Sequence, residues 1–297
     1  MKKMSIALVS ILLFVAHASL YAQDYYALDA VSPIDAGSSL WTEELTWIEV
    51  RDAIAAGNTT VIIGTGGLEQ NGPFTVTGKH NYVLATVLPV IAEEIGSALI
   101  APVVKFVPEG NIDEKSSHMA FPGTVSLSQE TFEALLSEIT RSYGAHGFRD
   151  IILLGDSGGN QRGMANVAEA LNALWQDEDI RVHFLPEFYS TDQWSYEFLK
   201  SQGIVQIDNT PPEGELSDRP TATRNQMHDD IYYEAQAAVQ NPEFVRAEQR
   251  IRAKLFSLHG VELHSVDYII ELGEKLAQYR AEITASAFRD SLARLRR

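Results

Sequence analysis

The hydrophobic pattern of this chain switches between two periods. Short apolar, β-branched runs occur at 59–64, 98–106, 150–154 and 180–185, and their length marks them as buried strands. Between them, apolar positions recur at helical spacing. Trp41 to Ala56 places Trp47, Val50 and Ile54 on one face, and Gly57 supplies a stop. Residues 81–95 are helical in pattern, with Pro89 expected to kink them. Ser128 to His146 is amphipathic, and Ser128-Gln129-Glu130-Thr131 suits a capped start. A turn at Gly155 to Gly159 leads into a helix that runs to about Trp175. Residues 207–226 are polar and proline-bearing and read as a long loop, and the remainder is mostly helical. Strands alternating with helices predict parallel βαβ units. The expected fold is a three-layer α/β/α sandwich around a mostly parallel sheet, in one domain. Ligands of such sheets bind beyond the carboxyl ends of the strands. The loops that follow the first three strands should therefore gather at one edge.

The first residues change the picture of where the domain begins. Lys2 and Lys3 precede an apolar run from Ile6 to Ala16, and Ala18 or Ala22 suits a cleavage point. Residues 1–22 are read as a signal peptide and 23–297 as the mature domain, which is then periplasmic or secreted; an uncleaved anchor is the alternative. The run is shorter than the roughly 20 residues of a membrane span, so no membrane contact is expected after cleavage. The formal charge of −17 argues against nucleic acid as a partner. Cysteine is absent, so any metal must be held by His, Asp, Glu or water.

Two loops carry candidate chemistry. Residues 64–78 hold five glycines and one proline, and they place Glu69 ahead of His80. A carboxylate and an imidazole that converge across such a loop suit Zn²⁺ or Mn²⁺. A solvated acid and a helix-capping His80 are the plainer alternative. The third loop, Gly155-Asp156-Ser157-Gly158-Gly159-Asn160, sits between a strand and a helix, where backbone N–H groups can meet an oxyanion. Asp156 faces a site there or merely caps the helix. The same string satisfies G-x-S-x-G, which keeps a Ser157 nucleophile open, with His228, His259 or His264 as partner.

Several multi-residue motifs, in order, resemble the creatininase (creatinine amidohydrolase) family. They are Glu69-Gln70-Asn71-Gly72-Pro73-Phe74, His118-Met119-Ala120-Phe121-Pro122-Gly123-Thr124, His146-Gly147-Phe148-Arg149 and Gly155 to Asn160. The likeness spans about residues 45–190, and Gly260 to Leu263 extends it. The chain departs from the pattern at the ligand positions. His80 stands where the family has a bridging Asp, Asn71 where it has a loop His, and Ser157 where it has the His of the third motif. The resemblance implies a divalent metal, and the substitutions favour one ion over two. Glu69, His80 and Asp156 are the expected ligands, with water or Glu234 of the His228 to Glu234 stretch in a fourth position. A helix start is the alternative for that stretch.

On that reading a metal-activated water hydrolyses a C–N bond of a small cyclic or linear amide. His118 or His228 would move the proton to the leaving nitrogen. Gly158 and Gly159 would meet the oxyanion, with Asn160 and Asn71 facing substrate. A lactone or ester hydrolase using the same water or Ser157 is the runner-up, and a metal-free small-molecule-binding protein is the third reading. The resemblance also implies a homo-oligomer, since members of that family form hexamers. Trp41, Trp47 and Tyr25-Tyr26 are read as core, with oligomer contacts as the alternative.

Overall fold

The computed structural model describes residues 26–204, 230–255 and 261–296. The expected signal segment, the 207–226 loop, His228 and His259 lie outside the described residues. Among the described residues the sheet has four strands in the order β2-β1-β3-β4. They are β1 (Thr60–Thr65), β2 (Ala98–Ile100), β3 (Asp150–Gly155) and β4 (Arg181–Phe184), and every pairing is parallel. Thr60 pairs in register with both Ala98 and Asp150, so β1 and β3 start level and end level.

The expected strand at 98–106 is shorter than its apolar run. Pro102 cannot donate to a ladder, and beyond Ile100 only isolated bridges remain, such as Thr65 to Val104. Helix α1 (Trp47–Ala55) starts later than its pattern suggested. Thr46 caps it, and Glu49 returns a bond to the Thr46 backbone, a reciprocal box that fixes the start. Helix α2 (Lys79–Ile95) runs unbroken through Pro89, where the expectation was a kink. Helix α3 (Gln129–Ala145) begins where expected, with the Ser128 hydroxyl accepting from the Thr131 N–H. The others are α4 (Gly158–Leu174), α5 (Thr191–Ser201), α6 (Ile231–Gln240), α7 (Ala247–Ala253) and α8 (Val266–Leu295).

Alternation along the strands divides the core in two. Ile62, Ile152 and Leu154 point to one face, where α2, α6 and α8 pack on them. Val61, Ile63, Ile151 and Leu153 point to the other, under α1, α3 and α4. The fold is thus a three-layer α/β sandwich. Trp41 packs against the first cluster. The core reading fails for Trp47 and Tyr26, which are 45% and 91% exposed. No helix among the described residues is long and apolar enough to cross a membrane.

Candidate active site

Three loops meet beyond the carboxyl edge of the sheet, as the topology requires. The loop after β1 supplies Glu69. The first turn of α2 supplies Lys79 and His80, and the segment after β2 supplies Glu109 and His118. The end of β3 supplies Asp156 and Ser157. All seven are buried.

Glu69, His80 and Asp156 do come together, but in a row and not around a point. His80 Nε2 lies 2.6 Å from Glu69 Oε1, and His80 Nδ1 lies 2.8 Å from Asp156 Oδ2. The two carboxylates therefore sit on opposite sides of one ring. Carboxylate oxygens only accept, so both ring nitrogens carry protons. Burial and Lys79 work against that charge, but Glu69 and the hydrogen bonds to Asp156 and Glu69 outweigh them and raise the His80 pKa. A doubly protonated imidazole has no lone pair for a metal. Asp156 is committed as well. Arg280 of α8, fully buried, donates to Asp156 Oδ1 at 2.6 Å and to the Phe188 carbonyl. Burial alone would raise the Asp156 pKa; Arg280 and then His80 hold it low. In this arrangement the expected Glu69–His80–Asp156 set is a row of hydrogen bonds and not three donors around one point.

A different cluster offers converging donors. One ligand atom each from Glu69, Glu109 and His118 lie within 4.8 Å of one another, and all three residues are buried. His118 Nε2 is 3.3 Å from Glu69 Oε2. Burial pushes the His118 pKa down, against the pull of Glu69, which favours the neutral, metal-ligating form. Glu109 accepts from the Ser157 hydroxyl on Oε2 at 3.3 Å, while its buried Oε1 has no hydrogen-bond partner. Burial first, then the neighbouring Glu69, drive the Glu109 pKa up to about 10. Two crowded acids, one with an orphaned oxygen, are what a cation between them would relieve. The donors are hard to borderline and suit Zn²⁺ or Mn²⁺. Gly67 packs beside them, and a Cβ there would displace the Glu109 carboxyl.

The cluster faces a cavity of about 670 Å³. Glu69, Glu109, His118, Ser157, Gly158, Gly159, Tyr189 and Tyr233 are among its lining residues. Burial and the surrounding acids raise the Tyr189 hydroxyl to about 12, so it stays a donor. Gly159 has room only as glycine, since a Cβ would strike the Pro108 carbonyl.

The remaining expected residues divide. His118, Ser157, Gly158 and Gly159 line the cavity. Asn160 does not: its amide donates to the Thr65 and Gly66 carbonyls and ties α4 to β1. Asn71 likewise donates to the Glu69 and Val76 carbonyls and shapes its own loop. Glu234 Oε1 accepts from Arg250 at 2.6 Å and from Thr75 at 2.7 Å, while its buried Oε2 has no hydrogen-bond partner, and the residue does not line the cavity. Among the described residues the partner of Ser157 is the Glu109 carboxyl, and the candidate base His264 lies exposed beside Glu262; His228 and His259 are outside the described residues. Glu109, Tyr189, Lys79 and Arg280 are the site residues that sequence reasoning missed.

A buried acid–imidazole cluster beyond the carboxyl edge of a parallel sheet, open to a cavity, defines a three-layer α/β protein whose site lies where such sheets hold ligands. The chain belongs to the creatininase family, whose model, described as creatinine amidohydrolase, matches residues 43–258. Creatinine amidohydrolase of Pseudomonas putida is 26% identical over 178 residues, which are 60% of this chain and 65% of the relative. Mycofactocin precursor peptide peptidase of Mycolicibacterium smegmatis is 31% identical over 122 residues, 39% of this chain and 47% of the relative. The chain thus spans less than two thirds of the length of either curated relative. A solved structure described as "Creatininase Mn" superposes with a TM-score of 0.61 at 21% identity, covering 85% of this chain and 98% of that one. A "Zn-Zn type" creatininase mutant gives 0.59 at 20%, covering 86% and 99%. These likenesses bear on the fold.

Proposed function

We propose that this chain is a metal-dependent amidohydrolase that holds one divalent cation, Zn²⁺ or Mn²⁺, on Glu69, Glu109 and His118. The observation that carries the reading is the buried two-acid, one-imidazole cluster at the cavity, with an unpartnered Glu109 oxygen. The metals named for the solved relatives, Mn and Zn, agree with that donor set. Such an ion, when bound, lowers the pKa of a coordinated water toward about 7 and polarises a carbonyl.

The chain's own residues supply the rest. Gly158 and Gly159 line the cavity in the first turn of α4, where helix N–H groups without intrahelical partners suit a developing oxyanion. Tyr189, protonated and close to Gly158, adds a hydroxyl donor on that side. His118, spent as a ligand on this reading, is not available as the proton carrier expected from the sequence. His80 keeps Glu69 in position through its short bond, and Asp156 with Arg280 fixes His80 from behind.

Metal analysis tests the reading. The purified chain should carry about one ion per molecule. Glu109→Gln should lose it, while hydrolysis of small amides should stop with chelator and return with Zn²⁺ or Mn²⁺. A wild-type chain that stays metal-free after incubation with both ions removes the proposal.

A further inference from the structure

The cavity is too large for a single five-membered ring and is not uniformly acidic. Its acids, Glu69 and Glu109 and also Asp230, share the walls with one permanent cation. Among the described lining residues, Arg162 is the only arginine or lysine. It sits on α4 one turn beyond Gly158, so the two share a helix face. The exposed side chain of Arg162 takes part in no hydrogen bond or ion pair among the described residues. Arg250 and Arg280 behave oppositely, since each is buried and spent on a carboxylate, Glu234 or Asp156. Tyr189, Tyr232 and Tyr233 add aromatic wall to the same cavity.

We infer that Arg162 is a specificity-determining residue that receives a free carboxylate of the substrate. The substrate class is then an N-acyl amino acid or short peptide with an aromatic side chain, its amide carbonyl directed to the Glu69–Glu109–His118 end. A guanidinium fork matches a planar monoanion with two parallel bonds. A dianion such as phosphate fits less well, because the acids of the same walls repel the second charge. A volume of about 670 Å³ suits a molecule of this size, and pockets of roughly 300–1,000 Å³ typically hold drug-sized ligands. The inference rests on the amidohydrolase reading for the reaction, but not for the anion contact.

The test compares N-acetyl-tyrosine with N-acetyl-tyrosinamide, which differ only in the charged group. Calorimetry on the full-length protein should show the acid binding about tenfold tighter, the worth of one good charge-assisted contact. Arg162→Gln should erase the difference, and Arg162→Lys should keep part of it. Inorganic phosphate should compete weakly in the wild type. Equal affinity for acid and amide, equal weakening of both by Arg162→Gln, or no binding of either probe overturns the inference. The two readings fail separately. Metal-loaded protein that cleaves neutral and carboxylate-bearing amides equally sinks the Arg162 assignment alone. Metal-free protein that still discriminates through Arg162 sinks the hydrolase alone.

Discussion

Strand β3 carries an aspartate at each end, and each one meets a histidine and an arginine of the last helix. At the amino end, Asp150 accepts from Arg296 at 2.8 Å and lies 3.0 Å from His183 Nε2. Just past the carboxyl end, Asp156 accepts from Arg280 and meets His80. The spacing agrees: six strand residues cover roughly 20 Å and sixteen helical positions roughly 24 Å, so α8 runs antiparallel to β3 and pins both ends. The difference lies beyond the imidazole. His183 Nδ1 faces the neutral Ser291 hydroxyl, which accepts from the exposed Arg294, so the chain of contacts runs out to the surface. His80 faces Glu69, which leads on to His118 and Glu109 and to the cavity. One Arg–Asp–His arrangement is a fastening at one end and the back wall of a site at the other. Surplus acid and open space separate the two cases, and the residue types alone do not.

The sharpest way to break this comparison is to remove the arginines. Arg280 and Asp156 are both fully buried, so Arg280→Met strands a carboxylate and should cost about 3–5 kcal/mol in urea unfolding. Arg296 is 35% exposed at the side chain, and the matching Arg296→Met should cost about 1 kcal/mol or less. Equal losses would mean that the two ends are equivalent. The next largest effect should appear at one end only. Zn²⁺ at a hundred times its dissociation constant should stabilise the wild type by about 2.7 kcal/mol. Glu109→Gln should lose that gain, and His183→Gln should keep it. A gain that survives Glu109→Gln would place the ion elsewhere.

Much of this architecture was legible. Periods of two and 3.6 located the strands and the flanking helices, because burial on both faces leaves long apolar runs. The meeting of the loops with Glu69, His80, His118 and Asp156 followed from parallel topology. The ligand geometry was not legible, because spacing cannot say on which side of the His80 ring an acid will lie. Glu109 was missed since it lies between a truncated strand and a loop, outside any motif. Its position just past the carboxyl edge of the sheet was the available signal. Arg280 had a clearer one. It interrupts the buried stripe Leu272, Leu276, Thr284 and Phe288 on α8 at four-residue spacing, and a cation in such a stripe demands a buried anion.

A further predicted effect, smaller than the loss at Arg280 and the gain from Zn²⁺, concerns acid. Burial would raise the Asp150 pKa, but the hydrogen bonds to His183 and then Arg296 prevail and lower it. A carboxylate held below its unfolded value of about 3.9 stabilises the fold above that pH. The contribution fades as pH falls through the lower, folded value. Asp150→Asn should thus cost about 1–2 kcal/mol at pH 7, the worth of hydrogen bonds to a charged group. The gap between wild type and variant should begin to narrow as pH falls below about 4 and close only below the folded value. Parallel urea titrations at pH 7, 5 and 3 read the difference directly and cancel the carboxylates common to both proteins. A gap that stays constant down to pH 3 would show that Asp150 stabilises by shape alone. The fastening at the amino end of β3 would then owe nothing to charge, and the contrast with the carboxyl end would be wider still.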